Sequence, residues 1–324
     1  MKIIVFTTHS AVLPIIEYFH SQGWLSLVVS TEKLSGNNLP IEDFCISRGT
    51  DYLKINRSQL LTTAKDRLLD IQPDLILMLG FSYRIPREFF TIPHLGFYNI
   101  HFSLLPAYKG TDPIFWQMKN GETIGGITIH EVNEDFDSGK IVLQQAIPFI
   151  PGETAGICNG RYAVPTFQLV QQLIEKLLSA GETADFPIDS TSHNSIAESY
   201  FTKPVPDDFA IRWDTDTASQ IENLVNACNP SVGGAVSVFR QQMVRILEVS
   251  PVDGEGEVAV PGGTVIHADG SGLYVQCTDR KILRINIIKV NEGFMTGFKL
   301  AALGVVKGDR LESTEMYQLI NIIN

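Results

Sequence analysis

The sequence has no uninterrupted apolar run that approaches the ~20 residues of a membrane-spanning helix. Residues 1–6 lead directly into a β-branched run, without the charged start, long apolar segment and small-residue cleavage site of a signal peptide. Cysteines are few and form no CxxC pair, which argues against a zinc site and a disulfide framework. They are Cys45, Cys158, Cys228 and Cys277. We therefore expect a cytoplasmic protein without a membrane span, whose thiols are reduced and partly buried.

Basic residues are also scarce. The chain has 25 Lys and Arg against 36 Asp and Glu, a formal net charge of -11, and no local cluster of basic side chains. This balance argues against a surface that collects nucleic-acid phosphates or anionic lipid. What the sequence does have is length and apolar content. Its 324 residues, 44% hydrophobic and 19% charged, are enough for two domains with buried cores.

The first part of the chain alternates short β-branched runs with helical patterns. The predicted elements are strands at about 2–6, 25–30 and 74–79 and helices at about 11–21 and 57–71. Alternation of this kind is typical of βαβ crossovers and of a mostly parallel sheet covered by helices. The pattern therefore predicts an α/β fold for the first domain.

Further strands follow, and then a long helix with apolar residues at i, i+3 and i+4. These elements are predicted at about 96–100, 125–131, 141–147 and 154–179. A glycine at 181 ends the helix, which sets the first domain at residues 1–181. Residues 182–206 are polar, contain three prolines and show no sustained periodicity, so we interpret them as a linker.

The last part of the chain begins with a helical pattern at about 217–228. Short strands separated by glycines follow, a spacing that is typical of a small barrel or half-open sheet. We therefore predict a second, smaller and mostly β domain at residues 207–324.

A polar motif directly follows a predicted strand, in the stretch YNIHFSLLPAYKG at residues 98–110. Asn99 and His101 are two residues apart, so they point to the same side of the strand at its carboxyl end, where open α/β sheets bind ligands. An amide donor and an imidazole there can stabilise an oxyanion and transfer a proton, as acyl transfer requires. From spacing alone, a strand-end asparagine and a half-buried structural histidine fit equally well.

A second polar segment, residues 133–139, lies between two predicted strands. Its Asp137 can orient the histidine or balance its charge. By itself, the sequence Asp-Ser-Gly is more often only a hairpin turn. His130, in the apolar strand just before, is interpreted as a structural strand histidine.

Together these segments resemble the folate-dependent formyltransferase family. The family pattern is Asn-x-His-x-Ser-Leu-Leu-Pro followed by Gly, and then Asp-x-Gly after two further strands, and both parts occur here in order. The resemblance implies an enzyme with a Rossmann-like catalytic domain that takes its formyl group from N10-formyltetrahydrofolate and needs no metal. It also implies that Asn99 donates to the formyl oxygen, that His101 polarises it and transfers protons, and that Asp137 is the partner of His101.

The resemblance further implies a set of residues that contact the folate. They are Tyr83, Arg84, Ile85, Ser103, Leu104, Leu105, Pro106, Thr111, Asn133, Glu134, Asp135 and Phe136. Next to Thr111, a carboxylate at Asp112 fits either contact with a substrate ammonium or the N-cap of a following helix.

The acceptor amine is predicted from two further features. The carboxyl-terminal part, including Ile211-Arg212-Trp213, resembles the OB-like domain of methionyl-tRNA formyltransferases and of an aminoarabinose-forming enzyme. Residues 29–38, however, are short and almost uncharged where tRNA-formylating relatives carry a basic insertion. We therefore expect a small-molecule amine, such as an amino-sugar nucleotide, and consider tRNA an unlikely partner. Methionyl-tRNA and amino acids or peptides are the alternative acceptors, and the oligomeric state is left open.

Two other function classes fit the sequence less well. A nicotinamide dehydrogenase is disfavoured because the first predicted βα turn, residues 6–10, lacks the GxGxxG that approaches a pyrophosphate. A non-catalytic OB-fold module that binds nucleic acid is disfavoured because the sequence lacks a basic, aromatic-rich face.

Overall fold

The computed structural model describes residues 1–32, 39–180 and 197–314. The chain divides into two compact units that are not continuous in sequence. The first unit comprises Met1–Pro113, Ile124–Pro148 and Asn159–Phe201, and the second comprises Ile114–Thr123, Phe149–Cys158 and Thr202–Asn324. Two short segments therefore group with the carboxyl-terminal part of the chain rather than with their sequence neighbours. Within the described ranges, no helix is long and apolar enough to cross a membrane.

The first unit is built on a seven-stranded sheet. Its strands are β1 (Ile3–Thr7), β2 (Leu25–Thr31), β3 (Tyr52–Ile55), β4 (Leu75–Leu79), β5 (Phe97–His101), β7 (Ile124–Glu131) and β8 (Ile141–Pro148), in the order β3-β2-β1-β4-β5-β7-β8. The first five strands in this order, β3, β2, β1, β4 and β5, are parallel, and β7 and β8 are antiparallel to their neighbours. The predicted α/β fold is confirmed.

Helices connect these strands. They are α1 (Leu13–Ser21), α2 (Leu39–Arg48) and α3 (Lys65–Ile71). A short α4 (Pro113–Lys119) precedes β7, and the long α5 (Ala155–Ala180) follows β8. The helix predicted at about 57–71 begins instead with a π-helical stretch at Leu60–Ala64, which continues into α3. Alternate side chains of β1 and β2, such as Ile4, Phe6, Leu27 and Val29, form part of one buried cluster with Leu68.

The predicted linker at 182–206 is described only in part, because residues 182–196 lie outside the described ranges. Tyr200–Phe201 is a short strand, β9, which pairs in parallel with β6 (Lys109–Gly110). The segment at 29–38 is likewise described only as far as Glu32, so the prediction of a short uncharged loop falls mostly outside the described residues.

The second unit contains an antiparallel half-barrel, as the prediction of a mostly β domain requires. Its strands are β10 (Ala235–Phe239), β11 (Gln242–Val252), β12 (Val265–Asp269), β13 (Gly272–Gln276), β14 (Ile282–Val290), β15 (Gly293–Thr296) and β16 (Leu311–Glu312), with helices α6 (Ala218–Cys228) and α7 (Gly297–Ala302). Thr217 caps α6, since its hydroxyl accepts a hydrogen bond from the backbone N–H of Gln220. Trp213 is fully buried and donates to the hydroxyl of Ser237 at 2.9 Å.

Candidate active site

A polar cluster lies near the end of the central parallel strands. β5 carries Asn99 and His101, which are only 8% and 6% exposed. Because the two are separated by one residue, both side chains leave the strand on the same face. Ligands of open α/β sheets bind outside the carboxyl ends of the strands. The pair therefore occupies the position where chemistry is expected in this fold.

The imidazole of His101 is held between a carbonyl and a carboxylate. Its Nε2 lies 2.7 Å from the carbonyl oxygen of Tyr108, and its Nδ1 lies 3.6 Å from Oδ1 of Asp137. A carbonyl oxygen only accepts, so Nε2 carries a hydrogen and, in the neutral ring, Nδ1 is bare. Burial lowers the pKa of His101 below 6.5 and outweighs the opposing effect of Asp137. His101 is therefore neutral at pH 7, and a second proton would go to Nδ1, beside the carboxylate.

Asp137 is the acceptor around which the cluster is arranged. Its Oδ2 accepts from the backbone N–H of Gly110 at 2.8 Å, and its Oδ1 accepts from the side chain of Asn99 at 3.2 Å. Burial alone would raise the pKa of this carboxyl, but the nearby His101 and His130 and the N–H of Gly110 outweigh it. They lower the pKa from 3.8 to about 2. Asp137 is therefore ionised at pH 7.

His130 also belongs to the cluster, although its sequence context indicated only a structural role. It lies in β7 directly opposite Asn99 in the antiparallel register and is 3% exposed. Its Nε2 lies 3.1 Å from Nδ2 of Asn99 and 3.4 Å from Oδ1 of Asp137. Its Nδ1 lies 2.8 Å from the carbonyl of Glu131 and therefore donates there. His130 is recognised as part of the cluster only from the pairing of β5 with β7. The apolar pattern of its strand gives no information on that pairing.

The side chain of Asn99 links the other groups. Because ionised Asp137 only accepts, the amide nitrogen of Asn99 must face it. Both hydrogens of this nitrogen are then used, one toward Asp137 and one toward Nε2 of His130. The cluster thus combines an amide donor, a neutral base and a buried carboxylate, which are the groups that acyl transfer needs.

Residues 103–106, predicted to contact folate, form a turn after β5. The hydroxyl of Ser103 donates to a carbonyl within the turn at 2.7 Å, and the N–H of Leu105 donates to a side-chain hydroxyl of β7 at 3.2 Å. Both of these residues are buried, whereas Leu104 and Pro106 are partly exposed. The structure therefore gives Ser103 and Leu105 a role in holding the turn and leaves Leu104 and Pro106 accessible.

The other two predicted folate segments, residues 83–85 and 133–136, lie together. Arg84 donates a hydrogen bond to the carbonyl of Glu134, and its guanidinium lies 5.7 Å from the ring centroid of Phe136. Their mutual contact joins the loop after β4 to the loop between β7 and β8.

The remaining predicted contacts are divided between core and surface. Ile85 is buried and Tyr83 packs partly buried against the core of the first unit. Thr111 is exposed. Asp112 has a φ of 51° rather than the extended backbone typical of an N-cap. Asn133 accepts a hydrogen bond from the N–H of Asp135 within its own loop.

A cavity of about 440 Å³ opens beside residues 83–85. Three arginines line it together with apolar side chains and one carboxylate. Among the lining residues are Arg57, Arg84, Ile85, Arg87, Phe90 and Glu134. Such a lining fits a ligand that combines an apolar ring with an anionic tail.

Comparison with known proteins identifies the family of the chain. Residues 1–173 match the family described as formyl transferase, and residues 204–298 match the formyl transferase C-terminal domain. The chain belongs to the formyl transferase family. The predictions of a formyl-transferring enzyme and of its two-part fold are thereby confirmed.

The most similar curated relatives include several methionyl-tRNA formyltransferases. The one from Ruminiclostridium cellulolyticum is 27% identical over 97% of this chain and 99% of its own length. The one from Syntrophus aciditrophicus is 30% identical over 74% of this chain and 75% of its own length.

Solved structures share the fold at low sequence identity. HypX from Aquifex aeolicus, in complex with tetrahydrofolic acid, is 16% identical with a TM-score of 0.62 over 95% of this chain and 48% of HypX, so the chain spans about half the length of that protein. An N-formyltransferase from Helicobacter canadensis, in complex with folinic acid and dTDP-3-aminofucose, is 16% identical with a TM-score of 0.65 over 88% of this chain and 98% of its own.

The expectation that tRNA is an unlikely partner is wrong, because the curated relatives that match most of the chain are methionyl-tRNA formyltransferases. That expectation depended mainly on the short, almost uncharged segment at 29–38, most of which lies outside the described residues. The net charge of -11 was its second argument. A net charge is a sum over the whole surface and does not fix the potential at one face.

Proposed function

We propose that this enzyme transfers the formyl group of N10-formyltetrahydrofolate to the α-amino group of methionyl-tRNA. The observation that carries the proposal is an end-to-end match with one enzyme. The methionyl-tRNA formyltransferase of Ruminiclostridium cellulolyticum aligns over 97% of this chain and 99% of its own length, so both units have a counterpart in a single relative. The buried polar cluster supports the transfer chemistry itself.

The arginine-lined cavity supports the choice of formyl donor. N10-formyltetrahydrofolate carries a flat ring system and, at its other end, glutamate carboxylates. Ile85 and Phe90 offer apolar surface for the former, and Arg57, Arg84 and Arg87 offer positive charge for the latter. Glu134 forms an ion pair with Arg87 at 3.0 Å. The excess positive charge of the cavity therefore comes from Arg57 and Arg84.

In the proposed reaction, the lone pair of the unprotonated amine forms a bond to the formyl carbon, and the formyl oxygen becomes an oxyanion. Asn99 stabilises it with a hydrogen of Nδ2, which replaces the bond to His130 or to Asp137. His101 takes the amine proton on Nδ1, where the carboxylate of Asp137 stabilises the imidazolium. The bond to N10 then breaks, and the proton passes to N10, so the atoms and charges balance.

The acceptor is tested by a formyl-transfer assay. The full chain is incubated with N10-formyltetrahydrofolate and equal concentrations of methionyl-tRNA, amino-sugar nucleotides or free amino acids, and the formylated product is identified by mass spectrometry. We expect transfer to methionyl-tRNA that disappears in His101→Ala. Transfer to an amino-sugar nucleotide or an amino acid, with none to tRNA, contradicts the proposal.

The salt dependence of the acceptor KM is a second test for a tRNA acceptor. Because the chain carries a net charge of -11, it must contact a polyanion through local cations, and such contacts release counterions. We expect the KM for methionyl-tRNA to rise at least about tenfold between roughly 50 and 200 mM salt, as two or three phosphate contacts predict. The KM for the formyl donor, measured in parallel, serves as the control. A flat KM for the acceptor contradicts contact with the phosphate backbone.

His130 is expected to contribute through Asn99. Replacing His130 with leucine keeps the strand apolar but removes the nitrogen that lies 3.1 Å from the Asn99 amide, so the amide is less well oriented. We expect kcat to fall about tenfold, the effect of losing one buried hydrogen bond, with the KM for the donor unchanged. The matched control is His94→Leu, at an exposed position before β5. A wild-type kcat in His130→Leu contradicts this role.

A further inference from the structure

Residues 198–201, here called the strap, run beside residues 106–111, here called the site turn. The strap lies outside both family matches, which cover 1–173 and 204–298. The sequence predicts only a polar linker there. In the structure its strand β9 pairs in parallel with β6 of the site turn.

Backbone groups along almost the whole site turn bind the strap. Four hydrogen bonds join the two segments: Ser199 N to Pro106 O at 3.3 Å, Tyr108 N to Ser199 Oγ at 2.9 Å, Lys109 N to Ser199 O at 2.9 Å, and Thr111 N to Phe201 O at 3.1 Å. Three of the four donors are N–H groups of the site turn. The position of that turn is therefore set by the strap.

Side chains add to this attachment. The ring of Phe201 stacks on that of Tyr108, with centroids 5.1 Å apart and planes inclined by 9°. Glu198 pairs with the ammonium of Lys109 at 2.7 Å, and the same ammonium donates to the hydroxyl of Ser138 at 2.9 Å. The Lys109 side chain is only 11% exposed, so this contact is partly desolvated.

The site turn also binds the catalytic candidates. The carbonyl of Tyr108 accepts from Nε2 of His101 at 2.7 Å, and the N–H of Gly110 donates to Oδ2 of Asp137 at 2.8 Å. One three-residue stretch of backbone is thus bound to the strap and to both members of the His–Asp pair. A shift of that stretch changes the position of both.

We propose that the strap is a positioning element of the active site, in which Ser199 and Phe201 set the geometry of His101 and Asp137 through Tyr108 and Gly110. The segment between the two family matches then contributes to formyl transfer without touching the reacting atoms. The expected effect on formyl transfer rests on the proposed function. The expected effect on the positions of His101 and Asp137 does not. Transfer between two bound reactants depends steeply on such positioning, since a misplacement of about 1 Å can cost about 10²-fold in rate.

The test uses Ser199→Ala and Phe201→Leu in the full chain, with two readouts. The first is kcat, which we expect to fall about tenfold in each variant while the KM for the formyl donor stays unchanged, because a shift well below 1 Å is expected. The second is an NMR titration of the His101 ring nitrogens, which needs no acceptor. His101 faces Asp137, His130 and the Tyr108 carbonyl. Burial lowers its pKa, whereas Asp137 and the Tyr108 carbonyl raise it, so a displaced turn is expected to shift that pKa from its wild-type value.

Two further variants complete the test. Phe201→Tyr keeps the stack on Tyr108 and is expected to behave as wild type. Ser47→Ala, which removes a hydroxyl bonded to a carbonyl of α2 at 2.9 Å, controls for loss of a serine. Wild-type kcat and an unshifted His101 titration in folded Ser199→Ala and Phe201→Leu overturn the inference. If the wild-type enzyme leaves methionyl-tRNA unformylated, the titration alone decides, so the failure of the acceptor proposal is distinguishable from that of the strap.

Discussion

Replacing Asp137 with asparagine is expected to lower kcat by about 10³-fold. Asparagine has nearly the same size, so the contact with the Gly110 N–H can remain. The charge that stabilises protonated His101 is lost, and an amide N–H replaces an acceptor that faces Asn99 and two imidazoles. Steady-state kinetics with saturating formyl donor measure the change.

The control for this variant is Asp70→Asn, which makes the same replacement at an exposed position in α3. It is expected to retain wild-type kcat. The KM for the donor is expected to change little in Asp137→Asn, since the arginine-lined cavity is not altered. A kcat within tenfold of wild type in Asp137→Asn contradicts the assignment of Asp137 as the partner of His101.

The same substitution has a pH-dependent effect on stability. The pKa of Asp137 is about 2 in the folded protein against an ordinary 3.8, so the ionised carboxylate stabilises the fold by on the order of 2 kcal/mol above pH 4. That contribution is lost as the pH falls from about 4 through 2, because the unfolded chain takes up the proton first. Urea unfolding at pH 7 and at pH 3 is therefore expected to show a difference between wild type and Asp137→Asn that shrinks at the lower pH.

The sequence predicted those elements of the fold whose buried faces are long. All five residues of β1 are buried, and the apolar stripe of α5 runs through Val170, Leu173 and Leu177. It did not predict α2 and β3. Only Ile41 and Cys45 are buried in α2, and β3 is a four-residue edge strand in which only the last residue is buried. Neither element repeats an apolar position often enough to be recognised.

The residues of the candidate site also differ in how far the sequence could predict them. Asn99 and His101 were placed on one face by their spacing, a purely local property. The proximity of His130 depends instead on the register between β5 and β7, and that of the strap depends on a pairing of two-residue strands about ninety positions apart. A strand of two residues has no period. Periodicity therefore could not have distinguished the strap from the linker around it.

Gly110 combines a hydrogen bond to Asp137 with a strict limit on space. Its φ is 98°, and a Cβ placed there would lie 2.0 Å from the carbonyl oxygen of Phe201, a backbone atom that cannot move without shifting the strap. Gly110→Ala must therefore move the site turn, whose N–H holds Asp137 at 2.8 Å. Gly152 offers a matched comparison, because its φ is 78° but nothing lies within 4 Å of an added Cβ.

We expect Gly152→Ala to cost about 1 kcal/mol of unfolding free energy, the backbone strain alone, and to leave kcat unchanged. Gly110→Ala is expected to cost about 3 kcal/mol, since steric conflict adds to the same strain, and to lower kcat by about 10²-fold through displacement of Asp137. Urea unfolding and steady-state kinetics measure the two quantities on the same preparations. If the two alanine variants are equal in stability and in kcat, the site turn tolerates displacement and its backbone does not position the carboxylate. If Gly110→Ala alone loses activity while most of it remains folded, close packing of the site turn against Phe201 is what keeps Asp137 in place.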